Sequence, residues 1–457
     1  MSCSESVGEI VLTGQCPGYR GAALKLLKKA RAEIGDIIRV IKNGETYEGI
    51  LIPRSEYSDG KHIVIKLKSG YNIGIRVTPT TEIKRVGVGV KPTFAAPPLP
   101  EQRPELPKVA IVSTGGTIAS RVDYRTGGVR PALSASDLYS VVPELSEIAT
   151  IDAEILFSLF SENITSKHWV EMAKAVAKHI ENGAAGVVIA HGTDTLGYSA
   201  AALSFALQNL PVPAIMVASQ RSADRPSSDA ATNLIGAVKA AAKAPFAEVA
   251  VAMHESVSDK SVIFHRGTKV RKCHTSRRDT FQSINALPLA RMENDEFLMM
   301  VKNFSRRDSS NKLVLKPEFD EKVALVKFSP GLDPQLIDWY VDRNYRGIVL
   351  EGTGLGHVGD YCFSAIKNAV EEGVVVAMTS QCLWGRIDMN VYNQGRDLLA
   401  SGVIPLEDML PETALVKLMW ICRQTRNIDE AKRLLLTNIA NEISPRILHE
   451  RMCREKS

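Results

Sequence analysis

Short apolar runs alternate with helical patterns in the part of the chain that follows residue 107. The runs are VAIVS (109–113), AEILF (153–157), AGVVIA (185–190), AIMVA (214–218) and EVAVAM (248–253). Strands that are apolar throughout are typical of parallel sheets covered by helices, because neither face of such a sheet meets water. The sequence therefore predicts an α/β domain over residues 108–320.

A second series of the same kind begins near Val323. Its predicted strands are VALVKFS, RGIVLEG and VVVAMTS, and its predicted helices are LIDWYVDRNY and SAIKNAVEEG. Two terminal helices are expected over 412–426 and 428–436, because apolar residues there recur at helical spacing. We therefore expect a second α/β domain and its terminal helices over 321–457.

The N-terminal part of the chain has a different pattern. Apolar residues recur at helical spacing over 22–34, which predicts one amphipathic helix. Short β-branched runs then follow over 35–86 and are broken by turn signals such as Asn43-Gly44. This pattern predicts a small antiparallel barrel of about five strands, so residues 1–90 form a separate N-terminal domain.

A proline-rich stretch lies between the two patterns. Residues 91–107 contain six prolines and show no helical or strand periodicity. Proline-rich segments are extended and semi-rigid in water. We expect a linker here between the barrel and the first α/β domain.

Composition narrows the class of protein. The chain has 457 residues, 45% of them hydrophobic, and a net charge of +5, which is typical of a globular protein and too small to indicate nucleic acid as the main partner. No run approaches the ~18 apolar residues that a membrane span requires. The seven cysteines form no CxxC pair or zinc-ligand spacing, and no signal peptide is recognisable. We expect a cytoplasmic protein without a membrane or metal role.

Two hydroxyl-bearing turns follow predicted strands. The segment VAIVSTGGTIAS places Gly116 and Thr117 after one strand, and AGVVIAHGTDTL places Gly192, Thr193 and Asp194 after another. Ligands bind at the carboxyl ends of strands in open α/β sheets, and a hydroxyl beside a carboxylate is typical of nucleophilic catalysis. A tight strand-to-helix turn at the first segment and a helix N-cap at the second remain structural alternatives.

A third segment, HRGTKVRKCHTSRRDTFQSIN (265–285), is rich in lysine and arginine. A threonine hydroxyl needs a positioned base at neutral pH, and a desolvated lysine is one candidate. Lys269 and Lys272 both qualify by position. A solvated cationic loop is the alternative.

The three segments together, in this order, resemble the signature segments of the L-asparaginase/glutaminase family over residues 108–440. The added barrel and linker, with YRTGGV (124–129) and SENIT (161–165), are similar to those of the D subunits of archaeal-type glutamyl-tRNA(Gln) amidotransferases. The resemblance implies two asparaginase-like α/β domains behind a small SH3-like or Sm-like barrel.

The resemblance also implies the site residues. Thr117, Thr193, Asp194 and Lys272 match the catalytic positions, and Lys269 is the weaker of the two lysine candidates. Residues that match substrate-binding positions are Gly116, Tyr124, Ser161, Glu162 and Gly192. The implied chemistry is attack by a threonine on the side-chain amide, with backbone amides stabilising the oxyanion and water completing the hydrolysis.

The resemblance further implies partners. We expect a glutaminase that releases ammonia from glutamine to a partner, the E subunit of such amidotransferases, which binds tRNA(Gln) and uses ATP and magnesium. The present chain is expected to form a homodimer inside a heterotetramer. No cofactor is expected in this chain. A free-standing L-asparaginase, and an RNA-binding module on an inactive amidohydrolase scaffold, are the alternative functions.

Overall fold

The computed structural model describes residues 16, 18–54, 58–67, 72–88, 103, 105–116, 120–122, 129–131, 142, 144–221 and 228–447. The chain divides into two compact units. The first contains the N-terminal sheet, and the second contains both α/β sheets. The expected α/β architecture behind a small all-β module is confirmed, whereas the exact domain boundaries stay predictions.

The N-terminal unit is a five-stranded antiparallel sheet with one helix, α1 (Gly21–Lys29), which buries Ala23 and Leu27. The strand order is β4-β3-β2-β1-β5. The strands are β1 (Ile37–Lys42), β2 (Glu45–Leu51), β3 (His62–Lys66), β4 (Asn72–Arg76) and β5 (Glu82–Gly87). The predicted hairpin at Asn43-Gly44 joins β1 to β2, and both residues have positive φ, as a tight two-residue hairpin turn requires.

The helix predicted over 22–34 ends earlier than expected, at Lys29. Arg31 adopts a left-handed φ of 50°, and its amide donates to the carbonyl of Lys28. The amide of Ala32 donates to the carbonyl of Leu27. The left-handed residue reverses the chain, and the two hydrogen bonds to carbonyls of the last turn end the helix. The helical spacing of apolar residues does not reveal this end.

The second unit contains an eight-stranded sheet in the order β18-β17-β14-β13-β12-β10-β6-β9. The strands β9, β6, β10, β12 and β13 run parallel to one another, as predicted. Strands β14, β17 and β18 extend the sheet with antiparallel pairs. Strands of this part of the chain are β6 (Lys108–Gly115), β7 (Ser120–Val122), β8 (Val129–Pro131), β9 (Thr150–Leu159), β10 (Gly186–Ala190), β11 (Leu207–Gln208), β12 (Ala214–Val217), β13 (Val249–His254), β14 (Ser261–Arg266), β15 (Val270–Lys272), β16 (Phe281–Ser283), β17 (Ala290–Glu293) and β18 (Glu296–Met299).

Helices cover this sheet. They are α2 (Leu145–Ile148), α3 (Ser166–Glu181), α4 (Leu196–Ala206) and α5 (Ala230–Lys243). In α3, Trp169, Met172, Ala173 and Val176 are buried, and this spacing forms one apolar stripe. By contrast, α4 is buried on nearly all sides, which explains its almost continuous apolar sequence.

A four-stranded parallel sheet, in the order β20-β21-β22-β23, forms the second α/β layer. Its first three strands and its flanking helices lie where the sequence predicts them. The elements from here to the end are β19 (Val314–Leu315), β20 (Val323–Lys327), α6 (Gln335–Asp342), β21 (Gly347–Gly352), α7 (Phe363–Glu371), β22 (Val375–Ser380), α8 (Asn393–Ala400), β23 (Ile404–Pro405), α9 (Pro411–Gln424) and α10 (Ile428–Leu436).

One hydrophobic core extends through both sheets, because α4 packs against α9. Phe205 of α4 stacks on Trp420 of α9 with ring centroids 6.1 Å apart. Phe205 is fully buried, and burial of a side chain of this size stabilises the fold by about 2–3 kcal/mol. The two α/β layers therefore share one core.

Within the described ranges, no helix is both long and apolar enough to cross a bilayer. The proline-rich linker falls mostly outside the described residues.

Candidate active site

Three turns meet at one edge of the eight-stranded sheet. Strand β6 lies between β10 and β9, and all three run parallel, so the turns that follow them lie side by side. The turn after β6 contains Gly116, the turn after β9 contains Ser161, and the turn after β10 contains Gly192. The structure thus brings together three segments that the sequence places far apart.

These turns are in very close contact. Gly116 has a φ of 81°, and a Cβ at this position would lie 2.4 Å from the amide nitrogen of Gly192. A Cβ on Gly192 would in turn lie 2.8 Å from the Cβ of Ser161. Both glycines are therefore required by space, and Gly116 also by its backbone conformation.

Lys272 completes a hydrogen-bonded set with the turn after β10. Its Nζ lies 2.9 Å from Oγ1 of Thr193 and 2.8 Å from Oδ1 of Asp194. Thr193 is buried, whereas the Asp194 side chain is 66% exposed. The hydroxyl is thus sheltered next to an amine, and the carboxylate remains accessible to a bound substrate.

The helix N-cap alternative for Asp194 is wrong. Helix α4 begins at Leu196, and its N-cap residue is Thr195. Thr195 donates its hydroxyl to the carbonyl of Ser161 at 2.6 Å, and the amide of Asp194 donates to Oγ of Ser161 at 3.2 Å. The Asp194 carboxylate is therefore directed to Lys272 instead of to the helix.

Lys269, the weaker lysine candidate, does not reach this set. Its Nζ forms an ion pair with Asp408 at 2.7 Å, and its side chain is 1% exposed. Strand β15 carries Lys272 to the site, and Gly197 of α4 lets it approach, since a Cβ there would lie 3.2 Å from the carbonyl oxygen of Val270. Sequence reasoning missed Gly197, although a glycine in the first turn of a helix is a signal of close packing.

His191 orients the peptide that joins Gly192 to Thr193. Its Nδ1 lies 2.7 Å from the carbonyl oxygen of Gly192 and donates to it. Because carbonyl and amide point in opposite directions across a trans peptide, the amide of Thr193 points away from His191. Burial lowers the pKa of His191 to about 4, so the ring is neutral and needs no counter-ion.

Two amides are free to receive a ligand. Among the described residues, the amides of Gly192 and Thr193 have no hydrogen-bond acceptor. Unpaired buried amides beside a hydroxyl and an amine form the type of site that stabilises an oxyanion.

Ser161 and Glu162 open a short 3-10 turn, Ser161–Asn163, next to Asp194. Ser161 is buried and Glu162 is exposed, and no partner for the Glu162 carboxylate exists within the described part of the chain. A free carboxylate here is available to a substrate ammonium group. Thr117 and Tyr124, the remaining predicted site residues, lie outside the described residues.

His254 and His265 occupy structural positions. The ring of His254 contacts Asn233 and Asp259, and that of His265 contacts Ser283. Over the ranges that the structure describes, no group of three or more His, Cys, Asp or Glu side chains is arranged to hold a metal ion.

Comparison with known proteins agrees with this geometry. Residues 108–303 match the family described as Asparaginase, N-terminal, and residues 322–435 match the Glutaminase/Asparaginase C-terminal domain. Residues 32–86 match the GatD N-terminal domain. The D subunit of the glutamyl-tRNA(Gln) amidotransferase of Pyrococcus furiosus is 52% identical over 426 residues, which cover 92% of this chain and 97% of that protein.

The chain belongs to the family of glutamyl-tRNA(Gln) amidotransferase D subunits. A second D subunit, from Metallosphaera sedula, is 50% identical over 430 residues, 94% of this chain and 97% of that protein. The family resemblance inferred from the sequence motifs is thereby confirmed.

Solved structures place the fold of this D-subunit family beside the asparaginases. The thermostable L-asparaginase of Thermococcus kodakarensis matches with a TM-score of 0.66 and 34% identity, over 74% of this chain and 99% of that one. L-asparaginase I of Vibrio cholerae matches with a TM-score of 0.66 and 27% identity over the same share of each chain. The chain thus contains a complete asparaginase fold together with further residues.

Proposed function

We propose that this chain is the glutaminase subunit of a tRNA-dependent amidotransferase. It hydrolyses glutamine to glutamate and ammonia, and the partner E subunit uses the ammonia with ATP to convert Glu-tRNA(Gln) to Gln-tRNA(Gln). The observation that carries the proposal is the contact of Lys272 with both Thr193 and Asp194 in a chain that also has the GatD N-terminal domain.

The first step is attack of a threonine hydroxyl on the side-chain amide carbon of glutamine. Thr193 and Thr117 are the two candidate nucleophiles. Lys272 lies within hydrogen-bond distance of the Thr193 hydroxyl, so the Lys272–Asp194 pair is placed to take the hydroxyl proton and to pass one to the departing ammonia. Asp194 holds the amine in place from the other side.

The free amides of the turn after β10 stabilise the negative charge that develops on the amide oxygen. The Thr193 amide is directed away from His191 and is free to donate a hydrogen bond to the substrate oxygen. The turn therefore needs no rearrangement when the charge develops. The acyl-enzyme that results is then hydrolysed by water, which regenerates the threonine.

Recognition of the amino-acid end of the substrate falls to the turn after β9. The Ser161 hydroxyl is buried beside Gly192, and the exposed Glu162 and Asp194 carboxylates provide negative charge for a substrate ammonium. Carboxylates for the ammonium group and a threonine for the side-chain amide together fit a small α-amino acid that has a side-chain amide.

The remaining parts of the reaction belong to the partner. ATP and magnesium are bound by the E subunit, which also provides most of the tRNA(Gln) contact, and the present chain needs no cofactor of its own. The assembly is a cytoplasmic heterotetramer built on a homodimer of this chain. The relatives named as D subunits support a partner subunit in the complex.

The test is reconstitution of the complete reaction. The full chain, the E subunit, ATP, glutamyl-tRNA(Gln) and glutamine are combined, and formation of glutaminyl-tRNA is measured. We expect Lys272→Ala to abolish the glutamine-supported reaction and to leave the reaction supported by ammonium chloride intact, because free ammonia bypasses the glutaminase site.

The match to L-asparaginases favours one alternative, a free-standing asparaginase. Hydrolysis of asparagine in preference to glutamine, together with no glutaminyl-tRNA from the reconstituted mixture, would establish that alternative instead.

A further inference from the structure

Lys269 is the lysine of the third motif that the proposed mechanism does not use. It sits three residues before Lys272, and its amine is buried with the Asp408 carboxylate, which is itself 4% exposed. Isolated buried charges are costly, so this lysine and this carboxylate constrain each other closely. The position of Lys269 is therefore fixed by a residue 139 positions further along the chain.

The segment 437–444, here called the C-terminal segment, lies on the same junction. The amide of Ser444 donates to the other carboxylate oxygen of Asp408 at 2.9 Å. Thr268, next to Lys269, donates its hydroxyl to the carbonyl of Ala440 at 2.9 Å. The family match to the C-terminal domain ends at residue 435, so this segment lies beyond it.

A second buried ion pair anchors the C-terminal segment to the core. Lys417 of α9 and Glu442 are both fully buried, with Nζ and Oε1 2.5 Å apart. Lys417 also donates to the carbonyl of Thr437, and Glu442 accepts from the amides of Ile439 and Ala440. The C-terminal segment is thus anchored to the rest of the domain by specific ion-pair and hydrogen-bond contacts.

Strand β15, which carries Lys272, is three residues long, and within the described part of the chain it pairs with β16 alone. A short strand of this kind does not fix its own position well. A misplacement of about 1 Å in a reacting group reduces catalysis by up to about a hundredfold. The contacts at Thr268 and Lys269 therefore bear directly on where the Lys272 amine lies.

We propose that Lys269 is a positioning residue, through which Asp408 and the C-terminal segment hold the strand that bears Lys272. This proposal rests on the proposed function only where it is tested by glutamine hydrolysis. Lys269 itself touches neither Thr193 nor Asp194, so its effect is transmitted through β15.

The test separates positioning from stability. In Lys269→Met/Asp408→Asn neither side chain is charged, and the amide that replaces the carboxylate keeps an oxygen that accepts from the Ser444 amide. In the full chain with its partner subunit, we expect unchanged thermal unfolding, a kcat for ammonia release from glutamine reduced about tenfold, and a KM within about twofold of the parent value. Parental kcat in a stably folded double variant would overturn the proposal.

Thr268→Val provides a second, milder variant if the double variant folds poorly. It removes the hydrogen bond to Ala440 and retains the branched shape. We expect a reduction of kcat by several-fold and faster hydrogen exchange in both 270–272 and 437–444. Parental kcat together with parental exchange in these peptides would contradict the proposal.

Arg346→Met is the matched control. Arg346 pairs with Asp320 at 3.1 Å and donates to the carbonyl of Thr425, away from β15. It should lower stability without changing kcat or exchange in 270–272. If it lowers kcat as much as the Lys269 variant does, the effect is general destabilisation and the proposal is wrong.

Failure of the proposed function would give a different experimental result from failure of the positioning role. In that case the parent chain and its complex release no ammonia from glutamine, yet hydrogen exchange still reports whether Lys269 and Thr268 hold β15. Unchanged exchange in both variants would then reject the positioning role by itself.

Discussion

The Lys272 amine lies 2.9 Å from the Thr193 hydroxyl, although 79 residues separate the two in the sequence. Thr193 follows β10 of the main sheet, whereas Lys272 arrives on a separate two-stranded hairpin, β15 and β16. The proposed catalytic set thus joins the edge of the main sheet to a small accessory element.

Removal of any member of the set should reduce glutamine hydrolysis by at least about a hundredfold, as expected for a coupled nucleophile and base. The variants are Thr193→Val, Asp194→Asn and Lys272→Ala, measured by ammonia release. Lys260→Ala is the control, because Lys260 is an exposed lysine of the same domain. A Lys272→Ala enzyme with parental activity would exclude Lys272 from the mechanism.

Because Gly116 contacts the turn after β10, addition of one methyl group at this position should reduce both stability and activity. Gly116 and Gly183 both have a φ of 81°, but a Cβ on Gly183 meets nothing within 4 Å. Gly183→Ala should therefore cost only backbone strain, about 1 kcal/mol, without loss of activity. Gly116→Ala should in addition reduce kcat at least tenfold. Equal effects of the two variants on unfolding and on kcat would contradict this account.

Much of the fold and the site could be predicted from the sequence, for identifiable reasons. Parallel strands such as β10 and β12 are apolar throughout and therefore recognisable, and Gly192, Thr193 and Asp194 follow shortly after the end of β10. The choice between Lys269 and Lys272 had a different basis, namely the motif resemblance. The residue pattern left both lysines open, because burial with Asp408 depends on a contact across 139 residues.

The same limit applies to the antiparallel extension of the sheet. Strands β14, β17 and β18 pair in sequence order, yet the lysine- and arginine-rich segment between β14 and β17 dominates the local pattern. Positive φ at Arg31, which ends α1, also has no signal in the apolar spacing, although the contacts that accompany it are local. Pattern reasoning therefore succeeds where one element determines its own burial and fails where a distant partner determines it.

Buried His265 predicts a loss of stability in acid. Burial lowers its pKa to about 3, whereas an unfolded histidine titrates near 6.5. The unfolded chain therefore binds the extra proton first, and the free energy of unfolding falls as the pH drops below about 6.5. At pH 5 the expected loss is about 2 kcal/mol relative to pH 7.5.

Urea unfolding at pH 7.5 and pH 5 measures this loss. The comparison variant is His265→Asn, which keeps a polar side chain near Ser283 but does not titrate. The variant should lose less stability than the parent between the two pH values. If both proteins lose the same amount, His265 is not the source.

Glutamine hydrolysis by this chain should not depend on a divalent metal. In the proposed mechanism, the hydroxyl, amine and carboxylate of Thr193, Lys272 and Asp194 provide the nucleophile and the proton transfer without a Lewis acid. Ammonia release by the chain without its partner should therefore be the same with and without EDTA. Loss of activity in EDTA that zinc restores would require a metal site and a different mechanism.

The final prediction concerns control of the glutaminase by its partner. An enzyme that only degraded glutamine would gain nothing from an additional N-terminal domain, whereas a subunit that delivers ammonia needs both a docking surface and restraint. The segment VDYRTGGV (122–129), with Tyr124, follows the first motif and lies mostly outside the described residues. From its sequence we expect it to act as a gate whose closure the partner and glutamyl-tRNA favour.

Glutamine hydrolysis should therefore be slow in the isolated chain and faster when the E subunit and glutamyl-tRNA are both present. Ammonia release is measured with each addition alone and with both, for the full chain and for a chain that begins at about residue 90. The shortened chain should retain its basal rate, because the catalytic set lies beyond residue 108, and should respond less to the additions. A fully active isolated chain that is insensitive to the partner, the tRNA and the deletion would favour the free-standing asparaginase, because nothing would then link hydrolysis to demand for ammonia.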